Sequence, residues 1–282
     1  QINRSYSISG GKRFYVGKDK NPLSFFLTAG HTMDYQYTDE IIRNTTTSGT
    51  VYKDMNGKKY AENISQLALA NVDFDMQNRH HISYNLMMIH ANTQSVGDYN
   101  GKNSIFSDDY ENLGFTRRQQ TNDNMLIVNQ LMTNWGLTKS LSLDAGASYN
   151  MVKGYEPDRR INNLTKAEDG YTLLRGNSQQ RYFSTLDEDD LNVKAGLVYR
   201  LKDNIEEISN VRFGYTGRFV DDNFKATEYN LTVGHVSVIP SLDDFSLDDY
   251  YNQENFASDW FKIQKNLDEY TVKKNIHSAY AE

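Results

Sequence analysis

The sequence predicts an all-β chain built as an antiparallel up-and-down barrel wall. Three observations predict it: hydropathy with a period of two, a regular alternation of short and long connections, and amphipathic runs longer than a sandwich strand. In "LSLDAGASYNMVKG", Leu141, Leu143, Ala145, Ala147, Tyr149 and Met151 alternate with Ser142, Asp144, Gly146, Ser148 and Asn150. Alternation sustained this far makes a strand with one apolar face and one polar face. Sandwich strands run to about 5–6 residues, whereas a tilted strand crosses a bilayer in about 9–11.

About nine strands follow in order, the first over 5–16. The second, 22–38, sets Leu23, Phe25, Leu27, Ala29, His31, Met33, Tyr35 and Tyr37 against Ser24, Thr28, Gly30, Thr32, Asp34 and Gln36, with Phe26 the exception. "ALANVDFDMQNRHHISYNLM" reads as two strands, within 62–76 and 80–91, joined by a tight turn near Asn78. Strands over 118–135 and 140–153 follow. "LNVKAGLVYRL" within 187–201 alternates Leu191, Val193, Ala195, Leu197, Tyr199 and Leu201 with Asn192, Lys194, Gly196 and Arg200; "VRFGYTGRF" within 209–225 repeats the pattern. The ninth, 271–282, still reads as strand where the sequence stops, so a fragment of a larger barrel is expected.

Tight connections are expected near 17–21, 77–80, 136–140 and 202–208, and long polar ones over 40–60, 92–117, 155–186 and 226–270. This is the rhythm of a barrel with its long loops on one side. The polar faces carry the charges, with Asp34, Asp144, Lys194, Arg212 and Arg218 expected to line a lumen. Leu141, Leu143, Tyr149, Leu197, Tyr199, Phe213 and Tyr215 are expected to face lipid, with aromatics near strand ends as in interfacial girdles. The competing architecture is a water-soluble β-sandwich burying the same residues.

Composition narrows the function classes. The 282 residues carry 30 basic and 37 acidic side chains, a formal charge of −7, which argues against an electrostatic nucleic-acid binder. There is no cysteine, hence no disulfide, thiolate metal site or cysteine nucleophile. No apolar run is long enough for a membrane helix.

"FTRRQQTNDN", leading into "VNQLMTNWGLTKSLSLDAGASYNMVKGYEPDRRINNLT", then "QQRYFSTLDEDDLNVKAGLVYRL" and "KNIHSAYAE", together resemble TonB-dependent outer-membrane receptors of the Bacteroides type, over most of the chain and in the barrel portion only. The resemblance implies a barrel of about 22 strands around an N-terminal plug, and import driven by the TonB energy-transducing complex. Residues 1–282 would then be part of the transmembrane barrel in the bacterial outer membrane, with neither plug nor TonB box in them. Lipid, a nutrient of unknown class and the TonB complex acting through the plug are the implied partners, and a surface lipoprotein is compatible with them. The expectation is an importer of a scarce nutrient. The alternatives are a passive porin-like channel and a soluble or surface-attached sandwich binding carbohydrate.

The remaining motifs are weighed singly. "LDEDD", Asp187 to Asp190, lacks the spacing and turning glycine of a calcium loop and reads as a solvated acidic strand entrance. The loop "SLDDFSLDDYYNQENFASDW" mixes acids with Phe245, Tyr250, Tyr251, Phe256 and Trp260, suiting either ligand stacking or a self-packed loop closing the mouth. Arg117 with Arg118, and Arg159 with Arg160, could grip a phosphate or carboxylate; salt bridges to loop acids are the plainer reading. The histidines show no metal-ligand spacing, "GGKRF" is no phosphate loop, and no nucleophile elbow is present. Neither an enzyme, a cofactor nor a metal site is expected.

Overall fold

The computed structural model describes residues 2–77, 79–204, 207–235, 238–239, 242 and 250–282. In chain order come β1 (Arg4–Val16), β2 (Asn21–Thr45), β3 (Val51–Met76), β4 (His80–Asn103), β5 (Leu113–Gly136), β6 (Leu141–Ala167), β7 (Gly170–Leu173), β8 (Gly176–Asn204), β9 (Glu207–Val233), β10 (Val238–Ile239) and β11 (Phe261–Ala281). The helical elements are a 3-10 turn, Asp108–Tyr110, and α1 (Gln253–Ala257). Every strand pairing is antiparallel, and the sheet order is β1-β2-β3-β4-β5-β6-β8-β9-β11, with β7 on the tip of β6 and β10 on β7. Neighbours along the chain are therefore neighbours in the sheet. The sheet does not close: β1 and β11 are its two edges.

Register puts the alternating residues into rows. Trp135, Leu143, Leu197 and Phe213 lie side by side across β5, β6, β8 and β9. Phe25, Val72, Tyr84, Leu131, Ala147 and Val193 form another row on the same face. The apolar band runs obliquely to these rows. Ala29, Ala68, Met88, Ile127 and Met151 lead along one row to Asp189 and Asp221. At the opposite border, Leu141, Tyr199 and Val211 extend the band on β6, β8 and β9 alone.

The tight connections expected near 17–21, 77–80 and 136–140 lie where the sequence places them; of 202–208, residues 202–204 and 207–208 are strand and residues 205 and 206 lie outside the described residues. Gly17, at φ +77°, and Lys20 shape the β1–β2 turn, closed by Lys20 N–H donating to Gly17 O at 3.3 Å; Asn78, in the β3–β4 turn, lies outside the described residues. His80 and His81, which the sequence suggests sit in that turn, instead open β4, each paired across to β3 and β5. The long polar stretches need the larger correction. Residues 40–45, 51–60, 92–103, 155–167 and 226–233 are strand, because the hairpins continue well past the apolar band. Beyond the band neither face must be apolar, so the period-two signal fades while backbone pairing persists.

The buried core lies in these extensions. One cluster joins Phe115, Leu164, Leu173, Leu231, Val233, Tyr250 and Phe261, and a second joins Met55, Tyr99 and Phe106. Within the band the large side chains stay open, Leu27 at 54%, Leu131 at 50% and Phe213 at 59% exposure. Among the described residues no second layer covers them.

Candidate functional site

The polar face is knitted across the strands. Asn71 Nδ2 donates to Asn85 Oδ1 at 2.8 Å, and Asn85 Nδ2 to Gln130 Oε1 at 3.4 Å, linking β3, β4 and β5. Lys194 lies 3.4 Å from Asp144 across β8 and β6, and Arg218 lies 3.0 Å from Asp190 across β9 and β8. His81 sits 2.7 Å from Asp75 and 3.6 Å from Asp73. Gln130, Ser148, Asn192, Lys194, Thr216 and Arg218 line a concavity of about 300 Å³ in this face. The charges named here are paired or hydrogen-bonded, the condition under which a sheet face retains them beside water or another polar surface.

All the residues expected to face a lumen fall on this face. Asp34 is bonded by the Asn3 amide, and Arg212 Nε donates to Asn210 Oδ1 at 3.2 Å. Leu141, Leu143, Tyr149, Leu197, Tyr199, Phe213 and Tyr215 share the opposite face. Tyr149 sits at its border, its hydroxyl donating to Asp189 at 2.6 Å. At the turn end His80 lies against Trp135, ring centroids 4.0 Å apart, and at the far border Tyr37 meets Tyr60 at 5.1 Å.

In the extensions the double arginines separate. Residues 117 and 118 alternate, so their side chains leave opposite faces of β5. Arg117 forks onto Asp98 at 2.7 and 2.8 Å and lies over Phe115; the carboxylate raises its pKa further. Arg118 reaches the other face, held by Gln120 Oε1 at 3.1 and 2.7 Å. Arg159 lies 4.1 Å over the Tyr182 ring and 3.5 Å from Glu156. Arg160 and Arg181 both grip Asp158, at 2.6 and 2.8 Å. Burial pushes the Asp158 carboxyl up, but these two guanidiniums outweigh it and hold its pKa below the ordinary value.

The aromatic loop packs on itself. Tyr250 is buried, donating its hydroxyl to the carbonyl oxygens of His235 and Trp260 at 2.7 and 3.0 Å. Tyr251 packs edge-on against Tyr250 and Phe261, and burial pushes its pKa up. Trp260 lies 4.1 Å from the His235 ring. These rings are spent on closing the loop over the strand tips, and Tyr250 offers no open platform to a sugar. Asp243, Asp244, Phe245, Asp248 and Asp249 lie outside the described residues.

Two features of the extensions escape sequence reading. Gln179 is fully buried and acts as a piece of backbone: Asn163 N–H donates to its Oε1 at 3.0 Å and its Nε2 donates to Asn163 O at 2.6 Å. It bonds the β6 main chain where β8 departs and β7 takes over the pairing. The second is Tyr99, whose ring lies over Gly57 and whose hydroxyl donates to Glu40 Oε2 at 2.7 Å. Burial first, then that bond, pushes its pKa up to about 12. Neither carries a motif, since the partners are 16 and 59 residues apart. Among the described residues, no cluster of three or more His, Asp or Glu side chains could hold a metal ion. No protein-family model, curated protein or solved structure matches the chain.

Proposed function

We propose that the chain is wall of an outer-membrane barrel receptor that imports a scarce nutrient, its apolar band in lipid and its polar face lining the passage. The carrying observation is the exposed apolar band on one face, set obliquely across the strands, with a hydrogen-bonded charged face behind it. A soluble sandwich would cover that band with a second sheet, and among the described residues nothing covers it. The tall hairpin extensions supply the capture surface, and the edges of β1 and β11 are where further wall strands pair. Energy coupling through a plug and the TonB complex follows the resemblance of the strand sequences to that receptor class.

The test uses the absence of cysteine. Single cysteines replace Leu143 and Asp144 in the protein reconstituted in membranes, each carrying a nitroxide. Oxygen should relax the label at 143 far more than a water-soluble nickel complex does, with the preference reversed at 144. If neither reagent reaches 143, the face is buried in protein and the reading fails.

A further inference from the structure

The two borders of the apolar band differ in charge. At the border toward the extensions, outward-facing charges are matched: Lys153 lies 3.8 Å from Asp187, Lys273 lies 3.1 Å from Asp221, and His90 lies 2.7 Å from Asp123. At the opposite border the first three short turns carry Lys18, Lys20, Arg79 and Lys139, all exposed, and Asp19 is the one acid among their described residues. Among the described residues none of these four cations makes an ion pair. Asp19 is engaged by Gln77, whose Nε2 donates to its Oδ2 at 3.2 Å, while Gln77 N–H donates to Asn21 Oδ1 at 2.7 Å. These bonds tie the β1–β2 turn to the β3–β4 turn. Gly136 N–H donates to Arg79 O at 3.2 Å, tying the second turn to the end of β5, and the Arg79 stem lies where a Cβ on Gly136 would fall. Turns spaced roughly 10 Å apart, two strand separations, are thus stitched into one edge. Its cations stand within four residues of Val16, Met76, Trp135 and Leu141, the outward apolar side chains that end the band. In the fourth connection the side chains of Lys202, Asp203, Glu206 and Glu207 lie outside the described residues, so the unbalanced charge is that of the first three turns.

We propose that these three turns form a cationic belt that holds the anionic headgroups of phospholipids in the leaflet on the turn side. The occupant follows from continuity with the band. An amphiphile whose chains lie along the outward apolar residues places its headgroup at the border, where the cations stand. Phosphate there attracts an unmatched ammonium or guanidinium, and the long side chains can keep their stems on the apolar surface while the charged ends reach outward. His80 stacked near Trp135 at the same border, centroids 4.0 Å apart, supplies the aromatic anchor of a headgroup layer. The far border, with its charges matched, offers no such excess. The belt rests on the reading that the outward band meets lipid, and adds which lipid the turn end selects.

The experiment places the full chain in phosphatidylcholine vesicles with a trace of chain-spin-labelled phosphatidylglycerol or, separately, phosphatidylcholine. The motionally restricted part of the spectrum measures lipid held against the protein. At low ionic strength phosphatidylglycerol should exceed phosphatidylcholine there by at least about threefold, and the ratio should fall toward one as salt is raised. It should also fall to one when Lys18→Gln, Lys20→Gln, Arg79→Gln and Lys139→Gln are combined. Each half of the set, Lys18→Gln with Lys20→Gln or Arg79→Gln with Lys139→Gln, should lower it alone, and circular dichroism checks that strand content is kept. Lys102→Gln, in the extensions, should leave it unchanged, as a charge many Debye lengths away. A parent ratio near one overturns the belt, as does a preference that survives the combined variant. If the ratio is near one while polyglutamate binds the chain in detergent and the combined variant abolishes that binding, the turns take an acidic polypeptide and the lipid assignment is overturned. Restricted lipid without headgroup preference removes the belt alone. No restricted lipid at all removes the outward lipid contact, and with it both the import reading and the belt.

Discussion

Asp158 shows how single side chains secure a structure whose hydrophobic core is confined to one end. Its carboxylate holds Arg160 on its own strand and Arg181 on the neighbouring one, so it acts as a staple between β6 and β8 from within the β6 bulge. Its folded pKa is depressed, so the contribution is complete above the unfolded value of about 3.8 and is lost as pH falls through the lower, folded value. Asp158→Asn should cost about 0.5–1 kcal/mol at neutral pH, both arginines being partly solvated. In denaturant titrations the deficit against the parent should shrink as pH drops below the ordinary carboxylate range. A deficit independent of pH would mean that the amide change acts through packing instead.

Hairpin continuity dominates at the scale of elements. β3, β4, β5, β6, β8 and β9 are each 24–29 residues long, roughly 80–100 Å at about 3.4 Å per residue, far more than a bilayer crossing uses. Gly57 illustrates what keeps the tips together. A Cβ there would lie 2.1 Å from the Tyr99 ring, so Gly57→Ala must displace a buried aromatic and its bond to Glu40. The expected cost is about 1–3 kcal/mol by thermal melting, and it should largely vanish when Tyr99 is already alanine, because contacting sites are not additive. The sequence made the in-band half of each strand legible, because there one face is apolar and the other polar, and side chains alternate between the two. It hid the other half. Residues such as Arg43, Lys53, Asp98 and Arg117 look like loop, and only pairing with their neighbours makes them strand. The same limit governs the extensions: Arg117 and Arg118 read as a pair, yet a β-strand sends consecutive side chains to opposite faces, so Arg117 meets Asp98 on one face and Arg118 is held by Gln120 on the other.

For the whole molecule, the proposal that one face meets lipid yields an asymmetric expectation. Leu197→Arg, in the row with Leu143 and Phe213, should lower folding stability in vesicles by about 2–4 kcal/mol. Thr216→Arg, on the polar face beside the 300 Å³ concavity, should cost about 1 kcal/mol or less. Urea titrations in vesicles measure both, and equal costs would contradict the assignment of faces. One further property follows from the order of the strands. Except where β7 and β10 are tucked in at the rim, each strand meets only the strands before and after it in the chain. Along the main path every partner is thus separated by a single connection or rim excursion, and only the two-residue β10–β7 pairing closes a longer loop. Assembly can advance one hairpin at a time, each completed strand serving as the template for the next. The row of unsatisfied amides and carbonyls then travels along the sheet as a single moving front instead of accumulating at many edges at once.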